Sequence, residues 1–277
     1  MKLVRSRLPD TPSFAKRTLV KANYAVVLDL FCWGVDVLSR RDCGLILVGL
    51  QVCPGQERAD ELLGRLERQR LVQRRGRGAQ ARFEITAKGR HRAAPADPTQ
   101  SWDRPWDGKW RVITYDLPEQ RRKDRFRLWQ ALRDRKLGLL QRSVWIWPQP
   151  VNSILQELIA AQGIPECFCG FEAGQLFLCT HEEVVATAWN FEEITRRQRI
   201  HLDHVVANPD GIRKARELSA LAHLTRLEAR AYQDAFSLDP LLPRSLCPRN
   251  YRGFAVQQRH LEFRDALRRR LQELSRR

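Results

Sequence analysis

The densest chemistry in this sequence lies between positions 65 and 92, where ten Lys and Arg stand against two acids. Arg58, Arg65 and Arg68 fall on one side of a helical pattern. Arg74, Arg75, Arg77, Arg82 and Lys88 lie in and beside the Gly-punctuated segment RRGRGAQARFEI. Guanidinium groups at this density neutralise phosphates, and the counterions they release supply most of a sequence-independent affinity for nucleic acid. The bland alternatives are a solvated face or a protein-contact surface. Asp60 and Glu61 occupy the first turn of the same helical pattern, where they suit the helix dipole but repel phosphates. Base readout would therefore rest on Arg58, Arg65 and Arg68, and grip on Arg74, Arg75 and Arg77.

Asp116 is the second candidate, at the end of the apolar run WRVITY and two residues before Pro118. It can cap the helix that Pro118 starts and meet Arg121 or Arg122. Alternatively it holds magnesium for phosphodiester cleavage, with a second copy supplying another carboxylate. One aspartate per chain is a thin cage for that ion, so capping is the expectation and a nuclease the alternative. Cys167-x-Cys169 with Cys179-x-His181 offers four soft ligands, but the spacing and the neighbours Phe168, Phe171, Phe177 and Leu178 favour buried thiols over zinc. His201-x-x-His204 reads as helix surface. Gly76-x-Gly78 lacks the following helix of a phosphate loop, and no G-x-S-x-G occurs. Outside the Asp116 alternative, no catalytic residue, metal or required cofactor is expected.

These residues sit on a chain of 277 residues with 41 arginines, 8 lysines and a net charge of +17, a balance that attracts polyanions. An Arg-rich codon usage would give the same number. The opening MKLVRSRLPD has no apolar core for a signal peptide, and no apolar run is long enough to span a bilayer. Seven cysteines without an export signal read as reduced thiols in a cytoplasm.

The elements that position the arginines follow from periodicity. Leu19, Ala22, Val26, Leu30 and Trp33 mark a first helix, an apolar segment follows at Leu45–Leu50, and Pro54-Gly55 punctuates the chain. Ala59, Leu62, Leu63 and Leu66, at i, i+3, i+4 and i+7, mark a second helix. A basic hairpin comes next. Helix, turn, helix and hairpin over 14–92 resemble a winged helix-turn-helix, in which the second helix reads base edges and the wing holds phosphates. Residues 93–105, AAPADPTQSWDRP, read as a linker.

Over 106–181 the pattern predicts a strand at 110–115 and a helix at 119–136 with Phe126, Trp129 and Leu132 inward. A short strand at 139–141, a strand at 143–147, a helix at 151–162, and strands near 166–170 and 175–180 follow. That order is a ferredoxin-like βαββαβ arrangement. Residues 182–277 carry helical stripes at Trp189, Phe191 and Ile194, at Leu218, Leu221, Leu224 and Leu227, and at Val256, Phe263, Leu267 and Leu271. The fold class is α+β, ending in a helical domain.

The segment WDGKWRVITYDLPEQRRKDRFRLWQALRDRKLGLLQRSVWIWP resembles the central domain of the PaaX family of phenylacetate-catabolism repressors. Ala188-Trp189-Asn190 and DPLLPRSLCPRNYRGFA at 239–255 agree with it. That central domain is in turn similar to the small spacer-acquisition subunit of CRISPR systems. Y-D-L-P-E-x-R-R-K at 115–123 and Q-R-S-V-W at 141–145 match that subunit's strand-end aspartate, basic helix start and strand. There, two such aspartates face each other across a dimer and can hold a divalent cation. Many regulators of the PaaX type lack an acid at this place, so Asp116 is a departure.

The resemblance implies a cytoplasmic, homodimeric, sequence-specific transcriptional regulator, a repressor on a palindromic operator in double-stranded DNA. It further implies release by an acyl-CoA effector, with the C-terminal end contributing to dimerisation and sensing, and no membrane partner. The alternatives are a metal-dependent nuclease using Asp116 with magnesium, or a non-catalytic nucleic-acid-binding accessory of a CRISPR-like system.

Overall fold

The computed structural model describes residues 40–49, 55–76, 82–89, 98–162, 168–206 and 209–275. The expected first helix, Leu19 to Trp33, lies outside the described residues, as do Arg77 and Cys167. The chain divides into two compact units. One comprises Met1–Pro95 with Asn208–Ala229 and Glu262–Arg277, and the other Ala96–Ala207 with Arg230–Leu261. No helix among the described residues is long and apolar enough to cross a membrane.

In the first unit, α1 (Arg40–Gly49) packs against α2 (Gln56–Arg68). The stripe Ala59, Leu62, Leu63 and Leu66 is buried, as its spacing requires, and so are Cys43, Ile46 and Leu47 of α1. Arg70, with φ of 58°, turns the chain out of α2 toward a hairpin of β1 (Val72–Arg75) and β2 (Arg82–Ile85). The strands pair antiparallel, with Val72 opposite Ile85 and Arg75 opposite Arg82. Leu71, Val72, Phe83 and Ile85 are buried. Gly89 closes the base of the hairpin: a Cβ there would lie 2.0 Å from the Leu71 carbonyl oxygen, so only glycine fits.

The second unit begins inside the expected linker. Residues 98–102 form α3 (Pro98–Trp102), and Trp102 is one of the most buried side chains in the chain. Proline and polar composition concealed a single aromatic anchor. Next come β3 (Trp110–Tyr115), a 3-10 turn (Glu119–Arg121), α4 (Arg122–Asp134), β4 (Gly138–Gln141), β5 (Val144–Trp147), α5 (Asn152–Gln162) and β6 (Phe168–Ala173). The βαββαβ succession forms a fully antiparallel sheet of order β4-β5-β3-β6.

Alternation along the strands sends Ile113, Tyr115 and Trp145 into one core, with Leu128 and Leu132 of α4 and Leu158 of α5. Trp110 and Ile146 go to another, with Trp102, Val184, Val185, Trp189, Phe191, Ile194, Leu242, Leu246 and Tyr251. Two expectations are corrected here. Phe126 does not point inward but is 55 % exposed, because the inward stripe of α4 is Leu128 and Leu132. Residues 175–180 form no strand; Thr180 instead caps α6 (His181–Ala188) in a reciprocal box with Glu183.

α6 and α7 (Phe191–Val206) belong to the second unit, so the expected boundary at 181/182 does not coincide with a compact edge. Trp189 is the physical reason. Its indole covers Gly138, where a Cβ would come within 2.6 Å of the ring, and its Nε1 donates to the Lys136 carbonyl at 2.9 Å. The remaining helices are α8 (Pro209–Lys214), α9 (Leu218–Phe236) and α10 (Gly253–Ser275), with a 3-10 turn at Arg244–Leu246. In the first unit, Arg270 of α10 donates to the Ala215 carbonyl at 2.9 and 2.7 Å.

The 239–255 segment forms a buried polar network of the second unit. Asp239 accepts from Tyr251 Oη at 2.7 Å, Gln198 Nε2 at 2.8 Å and the Leu241 N–H at 2.8 Å. Tyr251 accepts from Trp102 Nε1 at 3.0 Å. Burial raises the Asp239 carboxyl and the Tyr251 phenol above their ordinary ranges and pushes the Cys247 thiol up to about 12.

Candidate nucleic-acid interface

Burial of one stripe of α2 forces Arg58, Glu61, Arg65 and Arg68 to the opposite side, where all four are exposed. Their states differ. Arg58 donates to Glu61 Oε2 at 2.7 Å, so its charge is balanced locally. Arg68 Nε donates to the Gly64 carbonyl at 3.3 Å, which aligns the guanidinium along the helix without neutralising it. Arg65 makes no ion pair or side-chain hydrogen bond with a described residue.

The hairpin divides in the same way. Arg75 Nε lies 2.5 Å from Glu84 Oε2, which also accepts from Gln73 Nε2 at 3.2 Å. Arg74 reaches only to 4.0 Å from Glu67. Arg82 is exposed and has no carboxylate partner among the described residues. Lys88 donates to the Gln69 carbonyl at 3.1 Å, keeping its charge beside the exit from α2.

Sequence reasoning missed Arg70. It is exposed at the left-handed position between α2 and β1; its backbone N–H donates to the Glu67 carbonyl at 2.9 Å and its carbonyl accepts from Thr86 Oγ1 at 2.7 Å, while its side chain has no partner among the described residues. The signal was present in the string RQR, but Arg70 belongs neither to the helical stripe nor to the hairpin. Among the described residues, Arg65, Arg68, Arg70, Arg82 and Lys88 thus carry charge without a facing carboxylate. Exposed pairs such as Arg58–Glu61 and Arg75–Glu84 are weak and screened by salt, so an incoming phosphate can compete for those arginines. This is an anion-binding chemistry.

Asp116 does not act as the expected cap. It is exposed and makes no hydrogen bond or ion pair with a described residue. The Arg121 N–H donates to the Pro118 carbonyl at 2.9 Å, forming the 3-10 turn that delays α4 to Arg122, whose N-cap is Arg121 with no side-chain bond. Arg121 pairs with Asp124 at 2.9 Å instead. Among the described residues, no three His, Cys, Asp or Glu side chains gather closely enough to hold a metal ion.

Cys169 and Cys179 are exposed rather than buried. β6 is an edge strand exposed along most of its length, and Cys179 lies on the irregular segment before α6. The His181 Nδ1 accepts from Trp110 Nε1 at 3.0 Å, so that nitrogen is committed to the core. His201 is fully buried beside Tyr232, contrary to a surface reading, while His204 is exposed.

No curated protein matches the chain. Among solved structures, the uncharacterized protein Rv0674 from Mycobacterium tuberculosis is similar over 79 % of this chain and 85 % of its own, with a TM-score of 0.53 and 17 % identity, a likeness of fold. The family described as the PaaX protein central Cas2-like domain matches residues 103–185, the span that holds the βαββαβ sheet and the start of α6. Residues 103–185 are therefore similar to the central Cas2-like domain of the PaaX protein.

Proposed function

We propose that this chain is a PaaX-type transcriptional regulator that binds duplex DNA through α2 and the β1–β2 hairpin, the recognition helix and wing of a winged helix-turn-helix. The observation that carries the reading is the set Arg65, Arg68, Arg70, Arg82 and Lys88, which no carboxylate among the described residues faces, held beside a helix and hairpin whose opposite sides are buried. Helix side chains of this kind reach base edges, and hairpin bases hold phosphates. Action as a homodimer on a palindromic operator, repression, and release by an acyl-CoA effector belong to the same proposal and rest on the PaaX domain. A gel-shift titration with the protein's own upstream DNA against a scrambled duplex tests it. Preferential retention of the upstream duplex supports a regulator; equal retention of both reduces the chain to a general nucleic-acid binder.

The second reading, a magnesium-dependent nuclease using Asp116 of two protomers, is favoured by one observation: the carboxylate is exposed and pairs with no described residue. Running the same samples on a denaturing gel with and without chelator decides it, since cleavage abolished by Asp116→Ala is its signature.

A further inference from the structure

Gly64 sits inside α2, one turn before the helix ends at Arg68. After proline, glycine is the least favourable residue in a helix interior, so its presence there calls for a reason. Elsewhere in the first unit the reason is internal. At Gly44 of α1 a Cβ would lie 1.8 Å from the Gln56 amide nitrogen, and at Gly89 it would lie 2.0 Å from the Leu71 carbonyl oxygen. At Gly64 a Cβ would have no atom of a described residue within 4 Å. Its backbone is helical, without the positive φ that Gly76 and Gly108 adopt. Neither packing nor backbone conformation among the described residues accounts for a glycine here.

Its place on the helix does. At about 100° per residue, Gly64 falls within about 30° of the direction opposite the buried stripe Ala59, Leu62, Leu63 and Leu66. The gap is therefore near the middle of the face turned away from the core. Glu57 and Glu61 precede it on that face, by two turns and by one, and Arg68 follows by one turn; all three are exposed. Arg68 Nε donates to the Gly64 carbonyl at 3.3 Å, which holds its guanidinium at the rim of the gap. Carboxylates repel phosphates, so a phosphate is not the group that fits this strip. Base edges fit it: a carboxylate accepts from the cytosine amino group, and an arginine donates to guanine. Glycine is the residue that lets a partner approach the backbone closely.

We propose that Gly64 is the point where α2 comes closest to duplex DNA, with base-pair edges in the major groove packed against its bare backbone. This inference rests on the preceding reading of α2 as a recognition helix and adds to it the position and the steric demand of the contact. A side chain at 64 occupies the space of the base edges and lifts the helix out of the groove. Sequence preference depends on this seat more than general grip does, because base edges carry the sequence information while the hairpin's contacts to phosphates do not. The glycine is thus kept at the expense of helix stability, for a partner that lies outside the chain.

Gly64→Ala and Gly64→Leu in the full chain test it, by thermal unfolding and by fluorescence anisotropy with the protein's own upstream duplex and a scrambled duplex. Gly64→Ala melts at a higher temperature than the wild type, because alanine is the better helix former. Affinity for the upstream duplex nevertheless falls by roughly tenfold with alanine, the cost of one disturbed base-pair contact, and further with leucine. Affinity for the scrambled duplex, held by phosphate contacts, falls less. Stability and affinity moving in opposite directions is a result that a purely structural glycine does not give. If the wild type prefers the upstream duplex and both variants bind it equally well, the proposal is overturned and the recognition-helix reading stands. A Gly64→Ala protein that melts below the wild type also overturns it, since the glycine then serves the fold. A wild type that does not distinguish the two duplexes removes the recognition reading, and this contact with it.

Discussion

Arg75 of β1 and Arg82 of β2 stand directly opposite each other in the hairpin ladder. Like charges at such a position destabilise a strand pair, and Glu84, 2.5 Å from Arg75, is the one carboxylate that relieves them within the ladder. The hairpin keeps two like-charged residues at opposed ladder positions at the expense of its own stability. That is the arrangement expected where an external anion completes the pairing.

Replacing Glu84 tests this division of charge. Glu84→Gln frees Arg75, so duplex affinity rises and the dependence of log affinity on log salt steepens by about one unit, one further phosphate contact. Thermal stability falls slightly. Fluorescence anisotropy across a salt series reads both quantities; unchanged affinity and slope would place Arg75 away from the DNA.

Tyr251 joins Trp102 to Asp239 through a single hydroxyl. Tyr251→Phe leaves the buried indole N–H and one carboxylate contact unmet, a loss of about 1–3 kcal/mol in chemical denaturation. Duplex binding by the folded variant is unchanged. A loss below the resolution of the measurement would mean that the network is not a stability element.

This network also marks the limit of what the sequence told. The stripes at 59, 62, 63 and 66 and the run at 110–115 were legible because each element repeats its own period against a core. Trp102, Asp239 and Tyr251 were not, because their roles depend on partners 12 to 149 positions away and no local pattern encodes such a separation. The same holds for the site. Composition located the arginines, but only the structure separates Arg65 and Arg82 from Arg58 and Arg75, which face carboxylates. Cys169 and Cys179 read as buried from their aromatic neighbours. They are exposed because an edge strand and the segment after it have no element laid over them.

The thiols therefore differ in reactivity. Among the four described thiols, iodoacetamide at mildly alkaline pH labels Cys169 and Cys179 first. Cys43, which is buried, and Cys247, held near 12 by burial, lag by at least tenfold, because the thiolate is the reacting species. Peptide mass mapping over time gives the order, and early labelling of Cys247 would contradict the packing around it.

Acid stability follows from depressed carboxyls: Glu172 and Asp210 are lowered by Lys109 and Arg213, and two others further. The Arg111 guanidinium, bonded to both Asp107 oxygens at 2.8 and 2.5 Å, holds Asp107 at about 2, and Arg196 and Arg197 hold Glu193 at about 2. Unfolded carboxyls titrate near 4. The unfolded chain therefore binds the protons first, and the stabilisation is complete above about pH 4 and lost as pH falls toward about 2. Asp239 has the opposite sign: burial raises it, so its contribution is largest below the unfolded value and declines as pH rises through the native one. Asp107→Asn flattens the acid limb of the urea midpoint below about pH 4. Parallel limbs for variant and wild type would remove Asp107 from the account.

The most direct measurement is the affinity of the wild type and of a combined Arg65→Ala, Arg70→Ala, Arg82→Ala variant for the protein's own upstream duplex over a range of salt. The account predicts tight, salt-sensitive and sequence-preferring binding by the wild type. In the variant, affinity falls and the log–log slope becomes shallower by about two to three units, with the fold intact. Equal affinities and slopes for the two proteins would contradict it and place the nucleic-acid contact, if there is one, elsewhere on the chain.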